Sequence, residues 1–527
     1  MTEIETCDAL FFSYYEDIDR WHNDFAPSAS GPTGSPVGLM DPSEAGGQSI
    51  LARTARQAVT LDGGVHDIAR FFSFAGYGDT REYRRFDAFS ISHLSGKYYE
   101  SLGHRNGYDV RHINHVSRVD LEVLGGRIQP RWVMLSSTFM TETANIMDAM
   151  QHLRRAFPGV PVVVGGLFLV EVEKSISAKD FQRLLLAMGA KVYAVTPLGE
   201  AAFLGLLQGD SKDLGSMNLP GCWIRAGRGF VKSDAPEPGL SIDENYVRWD
   251  ELDPNGIYHI AHTRTARSCA FACSFCSYPA NQGALTLAEP ETLRIELEHM
   301  RRSGRVDTIV FTDDTFNVPA PRFKDLCRVL AEFDFRWYSY FRCQFADEET
   351  MQLMVDSGCQ GVFLGYESID DKVLKNMRKA VNYKAYARGT ELVKKAGLAT
   401  HANFIIGFPG DVPENTPRFI DFVDEFEIDF YYATPWFCSP ATPVAQEQGR
   451  FGIEGQYYRW SHDTMNVEQA MELEAWTVNR AKHSVWMTEL GGRNFWTELF
   501  MTSNGLSIDG ITSSDADLQP LCWGGHP

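Results

Sequence analysis

The chain has 527 residues, with 49 lysines and arginines against 69 aspartates and glutamates, a formal net charge of −20. So acidic a surface repels polyanions, which argues against a large nucleic-acid interface and leaves a small molecule or a peptide as the expected partner. No apolar run is long enough to span a bilayer, and the opening MTEIETCDALFF is acidic, so neither a membrane span nor a secretory signal is expected, and the cytoplasm is the expected compartment. The length exceeds what one compact core accommodates and predicts two or three domains.

In chain order, Asp8 to Tyr15 reads as a buried first strand, and Ala26 to Gly47, rich in Gly, Pro and Ser, as a loop or flexible insertion. A regular pattern then begins: a helix through Tyr98, Tyr99 and Leu102, the strands GYDVRHINHV and WVMLSSTF, and a helix with Ile146, Met150 and Leu153 on one face. The strand VPVVVGG, a helix through Leu184 to Leu186, the strand KVYAVTP and a helix after Glu200 complete it. Alternation of β and α with apolar strands predicts a doubly wound parallel sheet of Rossmann-like or flavodoxin-like type, with ligands at the carboxyl ends of its strands. Those ends carry Ser136, Ser137 and Thr138, then Gly165 and Gly166, then Gly199 and Glu200. Small hydroxyls and glycines let a bulky ligand approach the backbone, although any α/β domain has glycines at such turns.

From Gln208 to Asp250 the composition shifts to Gly, Pro, Asp and Ser, which reads as a linker containing one hairpin, Trp223-Ile224 against Phe230-Val231. Alternation then resumes in HIAHTRT, DTIVFTDD, FRWYSYFR, GVFLGYES, THANFIIGF and DFYYATPW, six βα units that predict a partial (β/α)6 barrel of the triosephosphate-isomerase type. After Pro443 the chain reads as mainly helical, with Val467 to Trp486 and Phe495 to Met501 as candidates. The expected division is 1–209, a linker at 210–250, a barrel at 251–443 and a helical region at 444–527.

Most of the ten cysteines are scattered; Cys269, Cys273 and Cys276 are not. Their C-x3-C-x2-C spacing lets one short loop turn three thiolates onto one metal centre. A structural zinc site normally takes a fourth Cys or His from a second pair, and none follows nearby. Three thiolates suit a [4Fe–4S] cluster with one iron open to a non-protein ligand. Cys7, Cys222 and Cys522 read as plain thiols in a reducing compartment.

With Phe275 before its last cysteine, this motif resembles that of the radical S-adenosylmethionine (SAM) enzymes. The resemblance implies that the open iron chelates the amino and carboxylate groups of SAM and that Phe275 packs near its adenine. Asp313 and Asp314, Arg342, Glu367 and Ser368, and Gly407 to Gly410, each after a barrel strand, resemble the family's SAM-contacting positions. A sulfonium ligand with an ammonium and ribose hydroxyls needs such carboxylates and polar acceptors, whereas each residue alone could cap a helix. The order Ser136-Ser137-Thr138, Gly165-Gly166, Gly199-Glu200 resembles the cobalamin-binding domain that precedes the cluster domain in one large class of this family.

Members that ligate cobalt from below carry D-x-H-x-x-G. Here His93 and Gly96 keep H-x-x-G, but Ile91 replaces the aspartate, so His93 reads as a surface or turn residue. An aromatic group, among it Tyr431 and Trp436, is expected near a flat or cationic substrate, core packing being the other reading. WSHDTM, from Trp460, resembles the subgroup of phosphinate P-methylases and a peptide-antibiotic tryptophan methylase.

The resemblance implies a cobalamin-dependent radical SAM methyltransferase acting in antibiotic or other specialised biosynthesis on a small-molecule or peptide acceptor. It would use a [4Fe–4S] cluster, SAM, methylcobalamin and a low-potential electron donor such as a flavodoxin or ferredoxin. A 5′-deoxyadenosyl radical would take hydrogen from the substrate and methylcobalamin would donate the methyl. Two rivals stand beside it: a cobalamin-containing rearrangement or cyclisation enzyme without methyl transfer, and a non-catalytic sensor that keeps the fold.

Overall fold

The computed structural model describes residues 4–14, 59–61, 64–66, 91–115, 120–138, 140, 143–477 and 480–486. The expected loop at 26–47, the second C-terminal helix at 495–501 and Cys522 lie outside these residues. Two compact units divide the chain: Met1–Ile18, Ile91–Ser268 and Ala280–Val306 form one, and Asp19–Ser90, Cys269–Pro279 and Asp307–Pro527 the other.

The first unit is built on β1 (Glu5–Tyr14), β2 (Ile91–Ser92), α1 (Leu94–Arg105), β3 (Val110–His115), α2 (Leu121–Arg127) and β4 (Ile128–Ser136). It continues through α3 (Thr143–Ala156), β5 (Val162–Gly165), α4 (Leu167–Ser175), α5 (Ala178–Met188), β6 (Val192–Ala194) and α6 (Glu200–Gln208). Then follow β7 (Cys222–Ala226), β8 (Gly229–Lys232), β9 (Ile260–Thr263) and α7 (Pro290–Ser303). One seven-stranded sheet has the order β8-β7-β6-β5-β4-β1-β3. Its strands from β3 to β6 pair in parallel. β1 is buried through Cys7, Ala9, Leu10, Phe11, Phe12 and Ser13, so it reads as a continuous apolar run rather than an alternation. Leu10 and Phe12 enter a core with Ile146, Met150 and Leu153 of α3 and Phe181 and Leu185 of α5. On the opposite face Phe11 meets Tyr99 at 5.2 Å between ring centroids, and Tyr99 meets Phe203 of α6 at 4.8 Å.

Taken in chain order, the five parallel strands lie as 2-1-3-4-5, the flavodoxin-like arrangement. Winding reverses between β1 and β4, which puts the ligand crevice of such a sheet outside the carboxyl ends of those two strands.

Within the stretch expected as a linker the expected hairpin forms as β7 and β8, an antiparallel pair that extends the sheet beside β6. The hairpin register was legible, Ile224 facing Val231, but the burial of Cys222, Trp223 and Ile224 fixes it to the sheet.

In the second unit, β10 (Thr308–Phe311), α8 (Ala320–Leu330), β11 (Arg336–Tyr340), α9 (Glu348–Asp356) and β12 (Cys359–Glu367) alternate. After them come α10 (Asp371–Asn376), α11 (Tyr383–Lys395), β13 (Ala399–Ile406), α12 (Asn415–Glu425) and β14 (Phe430–Pro435). The strands pair in parallel in chain order. Each strand expected for the barrel forms, β9 included. Beyond them, β15 (Glu454–Gln456), β16 (Arg459–His462) and β17 (Met465–Asn466) make a small antiparallel sheet that the sequence did not announce. The expected C-terminal helix, α13, spans Val467–Thr477 and does not include the residues from Arg480 on; β18 (Val485–Trp486) pairs parallel to β14.

His93 is not at the surface. It precedes α1 with 3% of its area exposed, its ring 6.0 Å from that of His262, and burial pushes its imidazole down to about 3. The glycine of the H-x-x-G remnant has a packing reason: a Cβ on Gly96 would lie 2.0 Å from Nε2 of His112, whose ring bonds Ser13 Oγ at 2.7 Å. Gly→Ala inside a helix ordinarily stabilises by about 1 kcal/mol. Here overpacking against a ring on β3 outweighs that gain, so Gly96→Ala is expected to destabilise by about 1–3 kcal/mol. A urea midpoint equal to or above that of the parent chain would contradict this packing.

Candidate functional site

The cysteine loop follows β9 in the chain and belongs to the second unit. Ser274 pins it: its amide donates to Met377 O at 2.8 Å, its hydroxyl to Asn376 O at 2.7 Å, and its carbonyl accepts from Val444 N at 2.9 Å. Cys273 is buried, while Cys269 and Cys276 are partly exposed. Cys269 Sγ lies 3.5 Å from Thr315 Oγ1.

Two cations back this loop. Arg342, after β11, donates from Nη2 to Cys273 Sγ at 3.3 Å and from Nη1 to Lys379 O at 3.2 Å. Its guanidinium carbon lies 3.5 Å from the ring centroid of Phe271. Asn317 fixes its backbone reciprocally, accepting from Arg342 N and donating to Arg342 O, both at 3.0 Å. Lys379, 5% exposed, bonds Glu367 Oε1 at 2.9 Å, with Nζ 5.4 Å from the ring centroid of Phe275. Thus each aromatic residue interleaved with the cysteines carries a cation.

Burial first, and then the nearby Asp314, Cys273 and Cys269, push the Cys276 thiol up to about 12. A bound metal reverses that balance, because a coordinating thiol is deprotonated outright. Among the described residues no three His, Cys, Asp or Glu side chains converge on a point where a single ion would sit. A cubane cluster does not require this, since its thiolates go to different irons. The short loop, the charge-assisted donor on Cys273 and the paired cations fit such an anionic group.

Asp313 is buried; Asp314 beside it is exposed over part of its surface, and its carboxyl is pushed up to about 7 by partial desolvation and then by Asp313. Glu367 adopts φ 62°, a left-handed conformation rare outside glycine, which turns it back over Gly365. Ser368 Oγ accepts from Asp370 N at 3.1 Å, and Asp370 in turn caps α10, its carboxylate accepting from Lys372 N at 2.9 Å and Val373 N at 3.0 Å. Phe275 meets Phe408 edge-on at 6.4 Å. Gly407, at φ 80°, donates its amide to Asp411 Oδ2 at 2.8 Å and accepts from His462 Nε2 at 2.9 Å.

The two expected substrate residues are packed away. Tyr431 is fully buried, its hydroxyl donating to Thr477 O at 2.6 Å and accepting from Arg480 N at 3.2 Å, which ties α13 and the segment after it to β14. Trp436, 2% exposed, lies between Phe408 and Trp460. Side chains alternate along a strand, and the opposite parity brings Tyr432, partly exposed, to the inner face beside His401, a residue sequence reasoning missed.

In the first unit, the crevice residues hold one another. Ser137 donates from N and Oγ to Gly165 O at 2.6 and 2.9 Å, and Ser136 Oγ meets Thr138 Oγ1 at 3.2 Å. Gly166, at φ 126°, would place a Cβ 2.7 Å from Thr138 N, so glycine is what lets the ends of β4 and β5 interlock. Glu200 is buried in an ion pair with Arg267 at 2.7 Å and accepts from Tyr98 OH at 3.2 Å.

Residues 263–423 match the model of the Radical SAM superfamily. An uncharacterized methyltransferase of Pyrococcus horikoshii is 28% identical over 250 residues, covering 45% of this chain and 54% of that protein. Bacteriochlorophyllide d C-12(1)-methyltransferase of Chlorobaculum tepidum is 27% identical over 186 residues, covering 34% and 41%. The chain thus spans about half the length of the curated relatives it matches. Among solved structures, the radical SAM methyltransferase TsrM of Kitasatospora setae, with tryptophan and a SAM analogue bound, superposes with a TM-score of 0.61 at 16% identity, over 82% of this chain and 96% of that one. The form of TsrM with cobalamin and a [4Fe–4S] cluster bound gives 0.61 at 17% identity, over 81% and 96%. Residues 263–423 are therefore a radical SAM domain, set in a chain that has the fold of TsrM. The resemblance drawn from the cysteine motif is borne out in family over residues 263–423 and in fold over most of the chain. Among the described residues no helix is long and apolar enough to cross a membrane.

Burial pushes the Asp411 carboxyl up to about 6, against three hydrogen bonds that act the other way. A carboxyl raised on folding contributes stability below its unfolded value and loses it as pH rises through its folded value. From pH 4 to 7 the stability of the parent relative to Asp411→Asn should therefore fall, by about 2–3 kcal/mol if the whole shift is expressed. Thermal midpoints of the two proteins that differ by a constant amount across that range would contradict this.

Proposed function

We propose that this chain is a cobalamin-dependent radical SAM methyltransferase acting on a small-molecule or peptide intermediate of specialised biosynthesis. The observation that carries the reading is the three-cysteine loop held with Arg342 on Cys273. Cys269, Cys273 and Cys276 would hold the [4Fe–4S] cluster. Bound together, cluster, SAM and cobalamin supply a 5′-deoxyadenosyl radical and a transferable methyl group.

The chain's own contribution is position and charge. Arg342, donating to Cys273, offsets part of the negative charge that three thiolates bring into a partly buried loop, while Lys379, paired with Glu367, packs on Phe275. Phe275, wedged against Phe408, offers a flat wall for adenine, and Asp313, Asp314, Glu367, Ser368 and the turn at Gly407 offer acceptors for the ribose and ammonium of SAM. The interlocked ends of β4 and β5, with Ser136, Ser137, Thr138, Gly165 and Gly166, leave backbone and hydroxyls at the crevice for cobalamin, and Glu200 stands at the start of α6 on the same sheet edge. An external low-potential donor such as a flavodoxin or ferredoxin would reduce the cluster, in the cytoplasm.

With SAM, methylcobalamin, a low-potential reductant and an accepted substrate, S-adenosylhomocysteine and 5′-deoxyadenosine are expected in comparable amounts, with a product heavier by one methyl. Changing Cys269, Cys273 and Cys276 together to Ala should abolish both. 5′-Deoxyadenosine without S-adenosylhomocysteine would replace methyl transfer by rearrangement, and neither product from cluster-loaded protein would overturn the reading.

A further inference from the structure

The inner face of the sheet in the second unit carries polar atoms that nothing above uses. Tyr340, Phe363 and His401 are register partners on β11, β12 and β13. Their rings touch in series at 5.4 Å and 5.4 Å, and Tyr432 of β14 closes the belt at 5.5 Å from His401. His401 is 4% exposed, yet neither Nδ1 nor Nε2 has a hydrogen-bond partner among the described residues. Asn403, two residues on and on the same face, leaves its buried Oδ1 in the same condition. Buried polar atoms are nearly always satisfied, and leaving one unsatisfied costs about 1–3 kcal/mol. Three in one layer mark a place where a partner belongs.

The layer reaches solvent at its Tyr340 edge. Tyr340 is the last residue of β11, 37% exposed, and lies within electrostatic reach of Asp314 at the end of β10. Above His401, Gly365 stands in register with Asn403, and its bare α-carbon makes room for Glu367 Oε1, 2.6 Å from where a Cβ would sit.

We propose that His401 and Asn403 are the substrate-recognition residues of this site, and that they take an uncharged planar group bearing both a hydrogen-bond donor and an acceptor, as in a lactam, an amide or an N–H heterocycle. The proposal rests on the proposed function above and names the substrate class it leaves open. Burial pushes the imidazole down to about 3, so His401 is neutral, offering one N–H and one bare nitrogen, while Asn403 Oδ1 accepts. A matching ligand therefore brings at least one acceptor and one donor. Flat rings on either side of His401 select a planar group. A charged group is disfavoured because Glu367 and Lys379, the ion pair over Gly365, already neutralise each other.

The test uses the full chain after anaerobic reconstitution, with 2-pyridone as the probe and toluene as its counterpart without hydrogen-bonding groups, binding being followed by ligand-observed NMR. The parent should bind 2-pyridone at least tenfold more tightly than toluene. His401→Leu should weaken 2-pyridone at least tenfold and leave toluene unchanged, and His401→Gln, which restores a donor and an acceptor, should recover much of the loss. Equal affinity for the two probes in the parent, or 2-pyridone binding that His401→Leu leaves untouched, overturns the proposal. Iron and sulfide assayed on the same samples separate the two readings: an unloaded chain that still selects 2-pyridone through His401 sinks the proposed function alone, and a loaded chain that does not select sinks this inference alone.

Discussion

The contact on which the second unit depends is that of Arg342 with the cysteine loop. One guanidinium donates to Cys273, covers Phe271 and reaches the carbonyl of Lys379, while Asn317 fixes its backbone on both sides. A planar fork can do all of this at once; an ammonium, as a point charge, cannot. Lys379 in turn bridges Glu367 and Phe275. The cysteine loop and the carboxylate at the end of β12 are thereby held by one connected set of contacts.

In the first unit the corresponding constraint is steric. The ends of β4 and β5 meet so closely that Gly166 has no room for a side chain, and Ser137 closes the contact with two bonds to Gly165. The hydroxyls read as ligand contacts therefore first build the crevice edge. That explains why such residues look alike in any α/β domain and gain meaning from the strand order, which puts the winding reversal between β1 and β4.

The alternation of strands and helices was legible because the strands from β3 to β6 in one unit and from β10 to β14 in the other are parallel and largely buried, leaving apolar strands separated by amphipathic helices, and the cysteine loop was legible because its chemistry is local in sequence. Long-range effects were not. Tyr431 and Tyr432 are equivalent by composition, and strand parity alone turns one outward to Thr477 and the other inward to His401. His93 read as a turn residue because nothing near it in sequence says that His262 lies 6.0 Å away. The stretch around Trp223 read as a linker because its Gly, Pro and Ser content masked three buried residues. His401 drew no notice at all, since its significance lies in ring nitrogens without a hydrogen-bond partner among the described residues, which a sequence does not display.

The most direct test is Mössbauer spectroscopy of anaerobically reconstituted, 57Fe-labelled protein with and without SAM. A loop that binds a cubane through three thiolates predicts one iron site in four whose isomer shift changes when SAM is added, the other three remaining as they were. Four irons that do not respond to SAM, or zinc bound at one per chain in place of iron, would contradict it.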